Sequence, residues 1–560
     1  MKKFNKLPIL LFLLLGIAFT SCETTDLDLL DDPNQITLDK ANLERYLVAI
    51  QLDFKSFANT MGGNGSRLTR INYMFGRTYS ENFSAEFQNF EWGLAYRGMF
   101  SDIKNAEVLA IELEANKHIG VMKIMQAYTL MVLVDFFGDI PYSEATNPAE
   151  YPNPNLDDDA SVYAAALALL DEGIMYLGMD GLGLDTDFFY DNDFDKWIKL
   201  ANTLKMNAYL TTRLVDGEAM GKFNAIVNSG NYIQSTADDF EFKYGTNYLQ
   251  DPDTRHPSYS GDYNVSGAGN YKSNWLMDEM YHNNDPRIRY YFFRQNDCTP
   301  NANGADGTPC PPDPQRLFCS TQARPAHFPS GMVFCSVDGG YWGRDHGNGE
   351  GIPPDSFRRT AYGVYPAAGN FDDDRFSTVG LDQGGQGAGI TPIMLASWVD
   401  FMRAEMALAN GNASGANGFL QAGIQKSIDK ASSFASLDPL ADLSFEPTSG
   451  DISSYISTIS GAFNSGSTEE KWEILAEQQF IAHFGNGIDS YNMYRRTGYP
   501  KSLQWNIELS SGIFVRSLFY PADEANTNSN ITQKDDVSVQ VFWDNNGPSS
   551  ENHTGFPYAN

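Results

Sequence analysis

The clearest helical pattern in the chain lies at residues 194–216, which read FDKWIKLANTLKMNAYLTTRLVD. Apolar side chains recur there every three or four positions, and this spacing places them on one face of an α-helix. The pattern predicts a long amphipathic helix that packs against a helical core. The stripe consists of Phe194, Trp197, Ile198, Ala201, Leu204 and Ala208.

Helical patterns also lie upstream and downstream of this segment. Ile119–Phe137 is a long apolar run that ends at Gly138, and Asp135 inside it favours a buried core helix over a membrane span. After Pro392 one helix face is again apolar, and the pattern returns around Trp472. Paired helices of tetratricopeptide length are indicated, although no clean repeat of about 34 residues is present. The downstream apolar positions are Leu395, Trp398, Val399, Met402 and Met406, then Leu475, Ala476 and Phe480.

Between these helical blocks the composition changes. Gly, Asn, Asp, Pro and Tyr dominate residues 217–390, which predicts loops and short strands. The expected fold is therefore mainly α, with helical blocks at 38–216 and 391–500 and a large loop-rich insert at 217–390. Residues 38–560 form a single domain in this interpretation. Long structured loops on a rigid scaffold are common places for binding sites.

Four cysteines lie close together in the insert. An even number at short spacing, in an exported chain, predicts two disulfides. Three pairings are open at this point. A zinc site is the alternative, but no C-x-x-C pair is present to favour it. The four residues are Cys298, Cys310, Cys319 and Cys335.

The first residues form an export signal. Residues 1–22 read MKKFNKLPILLFLLLGIAFTSC, with a lysine-rich start and an apolar run too short to span a bilayer. Small residues before Cys22 predict cleavage after residue 21 and lipidation of that cysteine. Residues 22–37 would then be a tether behind a lipid anchor.

The charge excludes several classes of function. The chain has 560 residues with 39 Lys+Arg against 71 Asp+Glu, a net charge of −32. Nucleic-acid binding and attraction to an anionic membrane surface both need basic charge. The chain shows no fingerprint of a serine hydrolase, zinc protease or nucleotide-binding enzyme, and its seven histidines have no ligand spacing. We therefore expect neither enzyme activity nor a cofactor. Calcium would suit the acidic run of Asp185, Asp187, Asp191, Asp193 and Asp195.

Several segments together resemble the SusD/RagB family of Bacteroidetes outer-membrane lipoproteins. They follow the family's order along nearly the whole mature chain. The resemblance implies a tetratricopeptide-like scaffold, a surface-exposed lipid anchor, no catalysis, and a SusC-like TonB-dependent transporter as partner. The segments are the lipobox at Cys22, DPNQIT (32–37), AYTLMVLVDFFGDIPYSEA (127–145), KWIKLANTLKMNAYLTTRL (196–214), TPIMLASWVDFMRAEMAL (391–408), EEKWEILAEQQFIAHFGNGIDSYNMYRRTGYP (469–500) and RSLFYPADEANTNSN (516–530).

The usual cargo of that family is an oligosaccharide or polysaccharide, which an aromatic plane and planar polar groups would bind. Two tryptophans lie in the insert away from helical stripes, and glycines around Trp342 suggest an exposed loop tip. The acidic charge favours a neutral glycan, with β-glucan as the first candidate. A peptide cargo and a purely structural surface lipoprotein or adhesin remain the alternatives. The predicted ligand contacts are Tyr271, Asn274, Trp275, Tyr341, Trp342, Arg344 and Asp345.

An N-terminal segment could flank the same face. Residues 62–67, GGNGSR, read as a loop between helices, and Tyr73 and Tyr79 follow it. Arg495 and Arg496 are predicted to form internal ion pairs or hydrogen bonds to loop carbonyls rather than ligand contacts.

Overall fold

The computed structural model describes residues 42–546. Signal peptide 1–21, Cys22 and the tether at 22–37 lie outside the described residues. The helices of the N-terminal block come first along the chain. They are α1 (Leu43–Leu68), α2 (Tyr79–Asn82), α3 (Asn89–Trp92), a π-helix (Gly93–Phe100), α4 (Ser101–Glu112), α5 (Asn116–Phe137), α6 (Asp159–Leu177), α7 (Phe194–Thr211) and α8 (Ala219–Ser229).

The middle of the chain contains short elements only. They are β1 (Phe240–Lys243), α9 (Pro257–Asp262), α10 (Asn274–His282), α11 (Ile288–Tyr291), β2 (Phe292–Phe293), β3 (Ala361–Tyr362) and β4 (Ile390–Met394). Long helices then return. They are α12 (Ala396–Ala409), α13 (Ala413–Ser432), α14 (Ser449–Ser465), α15 (Thr468–Ala482) and α16 (Ile488–Thr497), with the short α17 (Ala522–Thr527) after them. Single 3₁₀ turns occur at Ala85–Gln88, Thr236–Asp238, Phe318–Thr321, Asp338–Gly340, Ala435–Leu437 and Leu443–Phe445.

Helix α7 confirms the prediction from residues 194–216. It starts where the Asp193 carboxylate accepts a hydrogen bond from the backbone N–H of Lys196, which caps the first turn. Trp197 and Leu204 are buried on the predicted stripe. The helix ends at Thr211, five residues before the predicted end, and a turn follows.

Consecutive helices pack against each other, which is the tetratricopeptide-like pattern. The contacting pairs are α5 with α6, α7 with α8, α12 with α13, and α14 with α15. Within residues 42–546, α5 and α6 are long and apolar enough to cross a membrane by composition alone. In α5, 89% of the most apolar window is buried, as predicted for a core helix.

The insert leaves the scaffold through a two-stranded ribbon. Strand β1 pairs antiparallel with β4, and Lys243 lies opposite Ile390. Helix α8 falls inside the range predicted as insert, but it packs on α7 and belongs to the scaffold. The loop-rich part therefore begins at β1. The described residues from 43 to 546 cluster as one unit.

Buried charges tie the two helical blocks together. Glu405 on α12 accepts hydrogen bonds of 2.8 and 2.7 Å from Arg496 on α16, and Arg213 beyond α7 donates to it at 3.1 Å. Arg495 donates to the backbone carbonyl of Arg516 at 2.6 Å. The internal role predicted for Arg495 and Arg496 is confirmed.

The structure also confirms two disulfides and selects one of the three pairings. Cys298 bonds to Cys310, and Cys319 bonds to Cys335. The second bond lies in a small buried cluster with Leu317 and Trp342. Each bond closes a short loop, so the cysteines hold the insert locally and do not attach it to the scaffold.

Candidate functional site

A groove of about 600 Å³ opens where the end of α1 meets the insert. Backbone pairing brings its walls together, because Asn72 bridges to Lys272 and Ser273 bridges to Arg344. Arg344 also donates its backbone N–H to the carbonyl of Lys272 at 2.9 Å. The lining residues are Asn59, Thr60, Gly63, Arg67, Asn72, Tyr73, Phe75, Asn82, Ser258, Gly269, Asn270, Tyr271, Arg344, Glu350, Gly351, Ile352, Arg359 and Tyr362.

Tyr271 is held between two guanidinium groups. The guanidinium carbons of Arg344 and Arg359 lie 4.0 and 3.9 Å from the centre of its ring, within cation–π range. The Tyr271 hydroxyl donates to Asp355 at 2.8 Å, and it accepts from Arg344 at 2.9 Å. Burial raises the pKa of Tyr271. Because both ring faces are occupied, Tyr271 positions the two arginines and offers a ligand only its edge.

The open aromatic surface comes from the N-terminal block. Tyr73 meets the Tyr271 ring edge-on, with 5.8 Å between ring centroids, and its hydroxyl donates to the carbonyl of Asn348. Burial raises the pKa of Tyr73 to about 12, so the hydroxyl stays protonated at neutral pH. Phe75 is 42% exposed beside it. With Ile352, which is 88% exposed, these two rings provide apolar surface in the groove.

Planar polar groups surround these rings. Arg344 is buried, its Nη atoms donate to the carbonyls of Glu350 and Gly351, and its Nε lacks a hydrogen-bond partner among the described residues. An orphaned buried donor is costly unless a water or ligand pairs with it. Arg67 is exposed at the groove wall, and Asn72 adds an amide. The arrangement suits hydroxyl groups on a ligand.

The predicted contacts divide into two groups. Tyr271 and Arg344 line the groove, and the other five predicted residues lie outside it. Asp345 is buried and accepts hydrogen bonds from Asn274 and Gln504. Burial raises the pKa of its carboxyl group, and these two hydrogen bonds oppose the rise. Tyr341 is buried beside Arg294. The residues that do not line the groove are Asn274, Trp275, Tyr341, Trp342 and Asp345.

The expected exposure of the two tryptophans is wrong. Trp342 is 1% exposed. The backbone at Gly343 runs close to the backbone at Lys272, since a Cβ on Gly343 would lie 2.5 Å from the Lys272 carbonyl oxygen. The glycines therefore permit close backbone contact rather than a loop tip. Trp275 is 3% exposed in the first turn of α10, with its ring near Phe480. Neither indole presents a face to solvent.

The N-terminal segment contributes more than its sequence indicates. Residues 62–67 are the last turns of α1 rather than a loop, and Gly63 and Arg67 from these turns line the groove with Tyr73. Tyr79 is fully buried, 3.1 Å from His346. Phe75, Arg359 and Glu350 were not predicted. The pattern of Asn72, Tyr73 and Phe75 after a helix end is the signal that could have found this wall.

Acidic residues elsewhere serve local structure. The Asp187 carboxylate accepts hydrogen bonds from three backbone N–H groups of its own turn and from the indole of Trp197 at 2.9 Å. Calcium in the run at Asp185–Asp195 stays a prediction. Within residues 42–546, carboxylates of Asp139, Asp158 and Asp159 lie close enough to share an ion. Each of the three also accepts a hydrogen bond from a backbone N–H group.

Two family models match the chain. The SusD-like model described as starch-binding and associating with the outer membrane covers residues 54–323. The model described as Susd and RagB outer membrane lipoprotein covers residues 384–544. The chain belongs to the SusD/RagB family of outer-membrane lipoproteins. These matches confirm the resemblance found in the sequence. Among curated proteins no relative matches the chain.

Solved structures of SusD homologues share the fold. A chitin-binding protein is 21% identical, with a TM-score of 0.62 over 90% of this chain and 100% of its own. A SusD/RagB family protein from Bacteroides thetaiotaomicron is 18% identical, with a TM-score of 0.62 over 91% and 100%. A chitin-binding SusD homologue from Flavobacterium johnsoniae is 17% identical, with a TM-score of 0.61 over 90% and 99%. The predicted mainly α, tetratricopeptide-like fold is confirmed.

Proposed function

We propose that this SusD/RagB member is a non-catalytic glycan-binding lipoprotein. It is anchored through Cys22 at the cell surface, captures an oligosaccharide or polysaccharide, and passes it to a SusC-like TonB-dependent transporter. The observation that carries the binding role is the groove, where exposed aromatic rings and planar polar groups lie together. Membership of an outer-membrane lipoprotein family and the two chitin-binding structural neighbours support it.

The chemistry of a sugar matches this groove. A pyranose ring has an apolar C–H face, for which Tyr73 and Phe75 offer rings. Its hydroxyl groups both donate and accept, and they would pair with the exposed Arg67 and with Asn72. A shallow groove binds through a few such contacts, so we expect micromolar affinity.

The local charge favours a neutral glycan. Arg359 is paired with Asp355 at 2.6 Å, and the Nη atoms of Arg344 are paired with backbone carbonyls. Backbone carbonyls do not cancel the Arg344 charge, so the charges left on the wall are Arg67 and Arg344 against the single carboxylate of Glu350. Burial raises the pKa of Glu350, and the nearby positive charge of Arg344 opposes this rise. A polyanion would meet little net positive charge here, so a β-glucan or a chitin-type chain is the better cargo.

Gly63 offers a direct test. A Cβ on Gly63 would meet no atom within 4 Å, and the residue lines the groove. The Gly63→Phe substitution should therefore fill the groove without disturbing the fold. Gly221 on α8 has equally open surroundings away from the groove, so Gly221→Phe is the matched control.

The experiment uses soluble protein that starts after Cys22 and a panel of polysaccharides in affinity gel electrophoresis. The panel contains laminarin, a mixed-linkage β-glucan, glycol chitin and alginate. We expect one neutral glycan to retard the parent protein. The same glycan should retard Gly221→Phe equally and should not retard Gly63→Phe. Retardation by alginate alone would overturn the neutral cargo.

The other classes of function predict different results. A peptide importer would bind a peptide library and no polysaccharide, and Gly63→Phe would abolish that binding. A structural lipoprotein or adhesin would bind neither, and both variants would behave like the parent protein. Transfer to a transporter has its own test, because the full-length protein should co-purify from outer membranes with a TonB-dependent barrel. Recovery of the lipoprotein alone would contradict this part.

A further inference from the structure

A second cavity continues the groove beyond one wall. It has a volume of about 370 Å³ and lies between the segment at residues 350–353 and the start of the 3₁₀ turn Phe318–Thr321. Glu350, Gly351 and Ile352 line both cavities. The two spaces are therefore neighbours on one surface, separated only by this short segment.

The second cavity offers two exposed apolar side chains. Phe318 is 55% exposed and Ile352 is 88% exposed, and both side chains line it. Single exposed apolar residues are ordinary on protein surfaces. Two that line the same cavity next to the groove provide a continuous apolar surface for a ligand that leaves the groove.

The position of Phe318 is fixed by its neighbours. Leu317 and Cys319, on either side of it, are buried with Trp342, and Cys319 is disulfide-bonded to Cys335. The backbone N–H of Leu317 donates to the carbonyl of Asp313 at 2.8 Å. The exposed ring therefore stands on a rigid base, which lowers the entropy lost on binding.

Glu350 joins the two cavities. Burial raises the pKa of its carboxyl group, and both the Arg344 guanidinium in the first groove and the backbone of Cys319, next to Phe318, oppose this rise. The backbone carbonyl of Glu350 accepts from Arg344 at 2.8 Å. The segment between the cavities is thus attached on both sides, and the two binding surfaces keep a constant spacing.

We propose that Phe318 and Ile352 form a second subsite for the same glycan chain, so that the protein selects long chains over short oligosaccharides. The inference rests on the proposed function. A chain that fills the groove at Tyr73 and Phe75 continues over residues 350–352, and a later sugar unit places its C–H face on Phe318. A short oligosaccharide fills the groove alone.

The test is a length series measured by isothermal titration calorimetry. The probes are laminari-oligosaccharides and chito-oligosaccharides, each from disaccharide to heptasaccharide. We expect affinity to rise with length in two steps. Phe318→Ala should lower the affinity for the heptasaccharide about tenfold, which is within the range of one ring stacking contact, and leave the trisaccharide unchanged.

Phe87 provides a matched control. It is also an exposed phenylalanine in a four-residue 3₁₀ turn, Ala85–Gln88, and it lines neither cavity. Phe87→Ala should leave every affinity unchanged. If Phe318→Ala behaves in the same way, or if affinity does not depend on length, the second subsite is wrong and the glycan-binding groove stands. If neither oligosaccharide series binds and no polysaccharide of the panel retards the protein, the proposed function fails and this inference fails with it.

Discussion

Two sets of aromatic residues lie at the boundary between insert and scaffold, and they face opposite ways. Trp275 and Trp342 point inward and are almost fully buried. Tyr73 and Phe75 line the groove with part of their surface open. We call the first set the core side of the insert and the second set the groove side. The same class of side chain therefore contributes packing on one side and a ligand surface on the other.

The difference shows how this fold builds a site from loops. An indole buries a large apolar area, so on the core side it fixes loops that have little regular structure. With these loops fixed, the smaller groove-side rings keep their positions although water covers them. Stability and binding should then be separable, and substitutions on the two sides should change different quantities.

The largest effect is expected for Trp342→Ala on the core side. Removal of a buried tryptophan leaves a cavity beside Leu317 and the Cys319–Cys335 disulfide and should lower the free energy of unfolding by about 3–5 kcal/mol. Urea denaturation followed by circular dichroism measures this change. Affinity of the folded variant for a trisaccharide, which fills the groove alone, should stay within about threefold.

Phe357→Ala is the control for this substitution, because Phe357 is 47% exposed in the same insert. Its effect on stability should be within about 0.5 kcal/mol. A Trp342→Ala protein with unchanged stability and lost binding would reverse the assignment, and Trp342 would belong to the ligand site after all.

A smaller effect, in binding, is expected for Tyr271→Leu on the groove side. Without the ring, Arg344 and Arg359 lose the surface that both guanidinium groups contact, each contact contributing about 0.5–2 kcal/mol. Arg344 should then move, and affinity for the retarding glycan should fall about tenfold. Calorimetric titration of the glycan gives the affinity.

Tyr271→Phe separates the ring from its hydroxyl. This variant keeps both cation–π contacts and loses only the hydrogen bonds to Asp355 and Arg344. We expect affinity within about threefold of the parent and a stability loss of about 1 kcal/mol. Equal losses of affinity in Tyr271→Leu and Tyr271→Phe would show that the hydroxyl, not the ring, positions the arginines.

The scaffold was predictable from the sequence because its signals are local. In α7 the spacing of apolar residues specifies the buried face, and in α5 the composition specifies a core helix. Burial of Arg496 against Glu405 also followed from chemistry, since a cation inside an acidic protein needs a partner. The end of α1 was missed because glycines at 62–65 read as a loop.

The groove was only partly predictable because it depends on long-range contacts. Tyr271 and Arg344 were named, but the residues around them come from α1 and from segments at 72–82 and 350–362. No local pattern links Asn72 to Lys272, which the structure pairs. Glycines flanking Trp342 fitted both an exposed tip and a close backbone approach, and only packing distinguishes these two cases.

The smallest predicted effect compares two glycines of helix α1, one that faces the groove and one that packs against backbone. A Cβ on Gly63 enters open space at the groove, whereas a Cβ on Gly65 would lie 2.4 Å from the carbonyl oxygen of Gly487. Gly63→Ala should therefore raise the free energy of unfolding by about 0.5–1 kcal/mol, because alanine favours the helix. Gly65→Ala should lower it, since backbone cannot move aside as a flexible side chain would. Thermal and urea denaturation of the two variants measure both signs. Destabilisation by Gly63→Ala would mean that the helix end is not formed at this wall, and the groove would lose the element that carries Arg67.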